Sequence, residues 1–156
     1  MSKFLYTNID WEISLPVKFI KFTNANTNTN TNTNTNINNF LNQKIKIGKN
    51  DKISLVFIDN LNIKELPNIY IDIKGDTLKD LLKSIEKGMD TKIKNNVETN
   101  FIYNSISGFT DSKMRLRLIN LYEHNKLKPK DLLGDHIFFA GIKRLKNGIW
   151  IINLDS

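Results

Sequence analysis

The stretch Ile69–Asp90, IYIDIKGDTLKDLLKSIEKGMD, changes its hydrophobic period part-way along. Ile69, Ile71 and Ile73 fall on one side, and Tyr70, Asp72 and Lys74 on the other. That period of two predicts a half-buried strand over Asn68 to Lys74. Beyond Gly75 the apolar residues Leu78, Leu81, Leu82, Ile85, Met89 and Ile93 recur at the spacing of one helical face. Asp76 or Thr77 is placed to cap that helix, and Thr77 with Asp80 has the spacing of a capping box. A strand that feeds a helix across a single glycine turn puts sheet and helix in one domain.

Downstream, Glu98 to Ile106 reads as another strand. Thr110 and Asp111 cap a second helix over Asp111 to His124, with Met114, Leu118, Leu121 and Tyr122 on its inner face. Pro129 and Gly134 bracket a single helical turn. The chain then carries two apolar runs, His136 to Leu145 and Ile149 to Leu154, around Lys146-Asn147-Gly148. Asn-Gly predicts a type I′ hairpin turn, in which both central residues take positive φ.

Upstream, Ile13 to Phe22 alternates, with Ile13, Leu15, Val17 and Phe19 on one side, and reads as a strand with Pro16 at an edge or bulge. Ile37 to Leu41 forms a helical turn. Lys44 to Gly48 and Lys52 to Ile58 read as two strands joined by a turn at Gly48-Lys49-Asn50-Asp51. The order predicts an α+β fold: a mostly antiparallel sheet of about five to seven strands, two amphipathic helices on one face and a C-terminal β-hairpin. The chain of 156 residues suits a single domain, 1–156. The tract Asn24–Asn36, NANTNTNTNTNTN, has no apolar face and is expected to be a low-complexity loop.

Asn, Ile and Lys dominate, at 23, 22 and 20 residues, against 2 Ala and 3 Arg. The abundant types have AT-rich codons and the scarce ones mostly GC-rich codons, so an AT-rich genome explains part of the +7 net charge. The sequence has no cysteine, hence no disulfide and no thiolate metal site. No apolar run reaches the length of a membrane span, and Asp10 and Glu12 interrupt any secretory apolar core near the start. These features fit an intracellular, cytoplasmic protein without a membrane partner.

Chemistry-bearing motifs are sparse. Gly75 lacks the lysine and glycine spacing of a phosphate loop, and no G-x-S-x-G occurs. Asp131, Asp135 and His136 lie close in sequence. A spatially assembled site around Asp135 and His136 is the enzymatic alternative, although a turn at Gly134 and the start of a strand account for both residues. No catalytic, cofactor-binding or metal-ligating residue is assigned, and no cofactor is expected. The basic residues are better ordered. Lys79, Lys83 and Lys87 stand at i, i+4 and i+8 on one helix face. Lys113, Arg115, Arg117, Lys126, Lys128 and Lys130 cluster around the second helix, Lys113, Arg115 and Arg117 being its candidate nucleic-acid contacts. A solvated lysine face accounts for such a pattern, and nucleic-acid binding is the functional alternative.

The composition, the Asn/Thr tract and the C-terminal stretch LLGDHIFFAGIKRLKNGIWIINLDS (Leu132–Ser156) resemble small uncharacterised proteins of large AT-rich DNA viruses. That resemblance implies a viral protein, with the virion as a further location, and no activity. The leading expectation is a non-catalytic binding or structural protein that acts through a surface on a protein partner.

Overall fold

A computed structural model describes residues 3–22, 34–54, 70–93, 99–134 and 137–155. Strand β1 (Ile9–Asp10) leads into a 3-10 turn at Val17–Phe19 and pairs with β2 (Lys21–Phe22) in a two-stranded antiparallel ribbon. Helix α1 (Asn34–Leu41), β3 (Lys52–Ser54), β4 (Tyr70–Asp72), α2 (Leu78–Met89), α3 (Thr99–Ser107) and α4 (Ser112–Glu123) follow. A 3-10 turn at Pro129–Leu132 precedes the hairpin of β5 (Phe138–Arg144) and β6 (Ile149–Asp155). The main sheet runs β4-β3-β6-β5, antiparallel except for the parallel pair β3–β6.

The α+β class read from the sequence holds. The strands divide differently, into a sheet of four and a ribbon of two among the described residues. Three expected strands account for the difference. Between Ile13 and Phe22, Pro16 has no N–H to pair, and the chain coils instead: Leu15 N–H donates to Glu12, Phe19 to Pro16 and Ile20 to Val17. Ile13, Val17 and Ile20 are buried, whereas Leu15 and Phe19 point to solvent. The Lys44–Gly48 stretch makes one bridge, Lys44 to Thr77, and stays outside the sheet. Most of Glu98–Ile106 is helix α3, whose Ile102 and Ile106 are buried at i, i+4. A short apolar run does not by itself separate strand from helix.

Helix α2 forms as its stripe dictates. Thr77 accepts from the Asp80 N–H at 3.1 Å, and the Asp80 carboxylate accepts from the Thr77 N–H at 3.2 Å, the expected capping box. Leu78, Leu81, Leu82, Ile85 and Met89 are all buried, each worth roughly 1.5–3 kcal/mol relative to exposure. They join Ile9, Trp11, Ile13 and Val17 from the N-terminal segment and Ile53, Ile142, Trp150 and Ile152 from the sheet in one core.

The second helix does not cover the sheet, contrary to the expectation of two helices on one face. Helix α4 is capped by Asp111, which accepts from the Lys113 N–H at 2.9 Å. Its buried Leu118 packs with Ile102, Ile106 and Leu127 in a separate cluster. The two bodies of core are tied by Asp90, just past α2, which takes ammonium groups from Lys128 at 3.0 Å and Lys130 at 2.6 Å. Ile93 N–H adds a bond to the Leu127 carbonyl at 2.8 Å. Of the loop expected over Asn24–Asn36, the last three residues instead begin α1, and residues 24–33 lie outside the described ones.

The outer edge of β5 is covered by the chain's own start. Leu5 and Ile142 exchange backbone bonds of 2.8 and 3.0 Å, and Phe139 N–H donates to Trp11 at 2.8 Å. Covering an edge in this way blocks pairing with other chains. Gly141 permits the crossing: its φ is +119°, and a Cβ there would stand 3.0 Å from the Leu5 carbonyl oxygen. The register of β5 against β6 shifts at this point, between Phe139 and Ile142.

Candidate binding surface

The most elaborate polar cluster lies under the C-terminal hairpin. Asp51, only 8% exposed, accepts from Arg144 Nε at 2.8 Å, Arg144 Nη2 at 2.9 Å, Trp150 Nε1 at 2.9 Å and the Gly48 N–H at 2.9 Å. The hydrogen-bonded Arg144 guanidinium holds this carboxyl far below the usual carboxylate range. Burial pushes the other way, and the Gly48 and Trp150 N–H groups add to the lowering. Four donors converge on two oxygens, so the cluster is a structural knot. It fastens the turn before β3 to both strands of the hairpin.

The hairpin loop differs from the expected type I′ turn. Gly148 N–H donates to Leu145 at 3.1 Å and Leu145 N–H to Ile149 at 2.8 Å, so three residues, Lys146 to Gly148, form the loop. Only Gly148 among them takes positive φ, +84°; Asn147 does not. A three-residue loop ending on a left-handed glycine is the next commonest hairpin connection. The knot explains the choice, since a Cβ on residue 148 would lie 2.8 Å from Asp51 Oδ1.

The other carboxylates with clear shifts are also committed to the fold. Hydrogen bonds from Lys130 and then Lys128 lower Asp90, and hydrogen bonds with Thr77, through side chain and backbone, lower Asp80. Asp131 accepts from the Lys128 N–H at 2.9 Å, and Asp76 pairs with Lys44 at 2.6 Å.

The basic residues divide sharply. Lys79, Lys83 and Lys87 are exposed along the outer face of α2, opposite its buried stripe, and none pairs with a carboxylate among the described residues. Four residues of helix rise roughly 6 Å, so the three ammonium groups form a row along the axis. Arg115 is half-buried and partly committed to the fold. Its Nη1 donates to the carbonyls of Phe109 at 2.5 Å and Thr110 at 3.1 Å, holding the turn that follows α3. Lys113 and Arg117 remain together on the exposed face of α4, with Leu116 beside them, 68% exposed. Asp135 and His136 lie outside the described residues.

Sequence reasoning missed two features. Phe19, expected on the same side of a strand as Ile13 and Val17, is turned outward by the 3-10 turn, 55% exposed, with Lys18 Nζ 5.1 Å from its ring centroid. Pro16 was the available signal. The Asp51 knot had no local signal, since its partners lie 93 and 99 residues away. Among the described residues, no group of three His, Asp or Glu side chains is set to hold a metal ion, and no helix is long and apolar enough to cross a membrane.

No family model, curated protein or solved structure matches the chain. Function is therefore read from the site itself, as it must be even where a fold is familiar.

Proposed function

We propose that the protein acts by binding a macromolecular partner through its exterior, without chemistry of its own, and that the outer face of α2 is the centre of that surface. One observation carries this reading. Asp51, Asp80 and Asp90 are matched to donors that build the fold, while Lys79, Lys83 and Lys87 form an ordered row with no such partner among the described residues. Unpaired like charges at i, i+4 spacing cost an isolated helix a few tenths of a kcal/mol per pair. A partner that brings negative charge removes that cost. It also raises the rate of encounter through long-range attraction.

The partner class follows from sign. An anionic surface suits the row, and both an acidic protein face and a nucleic acid supply one. The experiment is retention of partners from the native cell on the immobilised protein, comparing the wild type with the variant Lys79→Glu/Lys83→Glu/Lys87→Glu. The reading expects a partner held by the wild type and lost by the variant at unchanged melting temperature. Equal retention by both proteins would contradict it.

A further inference from the structure

The row on α2 is continued by the residue that follows the helix. Asp90 stands three residues after Lys87 and seven after Lys83, a spacing that keeps it on the same outer face. Its N–H still donates to the Glu86 and Lys87 carbonyls, so the helical path extends to it. Its exposed carboxylate holds the ammonium groups of Lys128 at 3.0 Å and Lys130 at 2.6 Å. One carboxylate between two cations leaves that end of the face positive. Lys79, Lys83, Lys87, Lys128 and Lys130 therefore form one cationic track along α2, roughly 16 Å from Lys79 to Asp90 at the helical rise. Glu86, half-buried at the margin of the face, is the other carboxylate beside it. We infer that this track binds the phosphodiester backbone of double-helical nucleic acid, without reading its sequence. This rests on the reading that the α2 face is the binding surface, and adds to it the class of ligand.

The composition of the track favours a duplex over the alternatives. Of the large apolar side chains exposed among the described residues, none belongs to α2 or to Pro129–Leu132. Protein partners are anchored by aromatic and aliphatic side chains that fill pockets, and the track has none to offer. A phosphate backbone is held by charge and by the counterions it releases. Single strands are held by cations together with rings on which bases stack, and neither segment contains an aromatic residue. A duplex carries one charge per about 1.7 Å of axis, so several phosphates face the track at once. Lysine heads are point charges without the planar fork that reads base edges, so they meet phosphates and leave the sequence unread.

The α4 face is the internal control. Lys113 and Arg117 are exposed and basic, but the side chain exposed beside them is the apolar Leu116. Two cations around a leucine make a poorer phosphate site than five along one helix.

The test uses the full-length protein and fluorescence anisotropy with a labelled DNA duplex, a labelled single strand of the same length, and polyglutamate as competitor, at roughly 50 mM salt. Lys79→Glu/Lys83→Glu/Lys87→Glu is expected to weaken duplex binding by more than about tenfold. It should also reduce the slope of log K against log salt by about 2–3, at about 0.9 per phosphate on a duplex. Lys128→Gln/Lys130→Gln is expected to weaken duplex binding by about threefold or more and to reduce the slope by about 1–2. Asp90→Asn breaks the same ion pairs but keeps both cations, so duplex binding should hold or tighten. A loss in Asp90→Asn equal to that in the Lys128/Lys130 variant would assign the effect to the structural tie and overturn the extended track. Lys113→Glu/Arg117→Glu should change duplex binding by less than about threefold. Absence of duplex binding, an equal loss in the α4 variant, a single strand held more tightly than the duplex, or polyglutamate binding as tightly as the duplex would each overturn the inference. If any of these occurs while the α2 variant still loses its cellular partner, the exterior-binding reading stands and only the ligand class falls. If the α2 variant retains that partner as well, both fall.

Discussion

Asp51 and the lysine row of α2 handle charge in opposite ways. At Asp51 a carboxylate is drawn inside and given four donors, from Arg144, Trp150 and Gly48. On α2 three ammonium groups project outward and meet no carboxylate among the described residues. Burying a charge without partners costs several kcal/mol, so the Asp51 arrangement persists only because each donor is in place. Leaving a lysine in water costs almost nothing, so the α2 row is free to answer to a partner. The contrast separates charge that builds the fold from charge available for contact, a distinction that net charge alone does not make.

The largest effect should come from breaking the knot. Asp51→Ala leaves the buried Trp150 Nε1 and the Gly48 N–H without their acceptor. Arg144, whose side chain is 43% exposed, recovers its solvation from water. The expected loss is about 2–4 kcal/mol, read from the urea midpoint; the lower end reflects the exposure of Arg144. A loss below about 1 kcal/mol would show that the knot is incidental. The same carboxyl gives a pH signature. Its acidity is strengthened on folding, so its contribution is complete above the unfolded-state value near 3.9 and fades as pH falls below it. The urea midpoint should therefore hold from about pH 8 to about pH 5 and drop below about pH 4, with a shallower acid limb in Asp51→Asn.

The hairpin loop sharpens the comparison next. Gly148→Val forces a branched residue to positive φ and drives its Cβ against Asp51, so a loss of roughly 1–3 kcal/mol is expected. Asn147→Val should cost about 1 kcal/mol or less, since residue 147 has no positive φ and loses only the bond its Oδ1 accepts from the Ile149 N–H. Equal costs at the two positions would restore the type I′ turn. Thr77→Ala should remove about 1 kcal/mol by opening the capping box of α2.

What the sequence revealed follows the range of its signals. Local periodicity was enough for α2, its cap, α4 and the position of the C-terminal hairpin. It also found the row Lys79, Lys83 and Lys87, because helical spacing alone sets which residues share a face. It failed where a turn or a distant partner decided the outcome. Pro16 coiled a run that alternates like a strand and turned Phe19 outward. Two buried isoleucines at i, i+4 made α3 of a stretch that reads equally as β. Arg115 sits between Lys113 and Arg117 in sequence but faces the carbonyls after α3. The Asp51 knot joins residues 93 and 99 positions apart, and no window of sequence contains it.

The smallest effect on stability should fall on the surface that matters most for contact. Lys79→Glu/Lys83→Glu/Lys87→Glu should shift the urea midpoint by no more than about 0.5 kcal/mol equivalent. Glu at the first turn of α2 favours the helix dipole and Glu at the last opposes it, so the two changes nearly cancel.

The most direct measurement is an amide NMR titration of the intact protein with polyanionic probes, polyglutamate and duplex DNA, at low salt. Shift changes are expected along the outer face of α2, at Lys79, Lys83 and Lys87, larger than any on the α4 face, with the Asp51 knot silent. Changes centred on Lys113 and Arg117, or none at all on α2, would contradict the account.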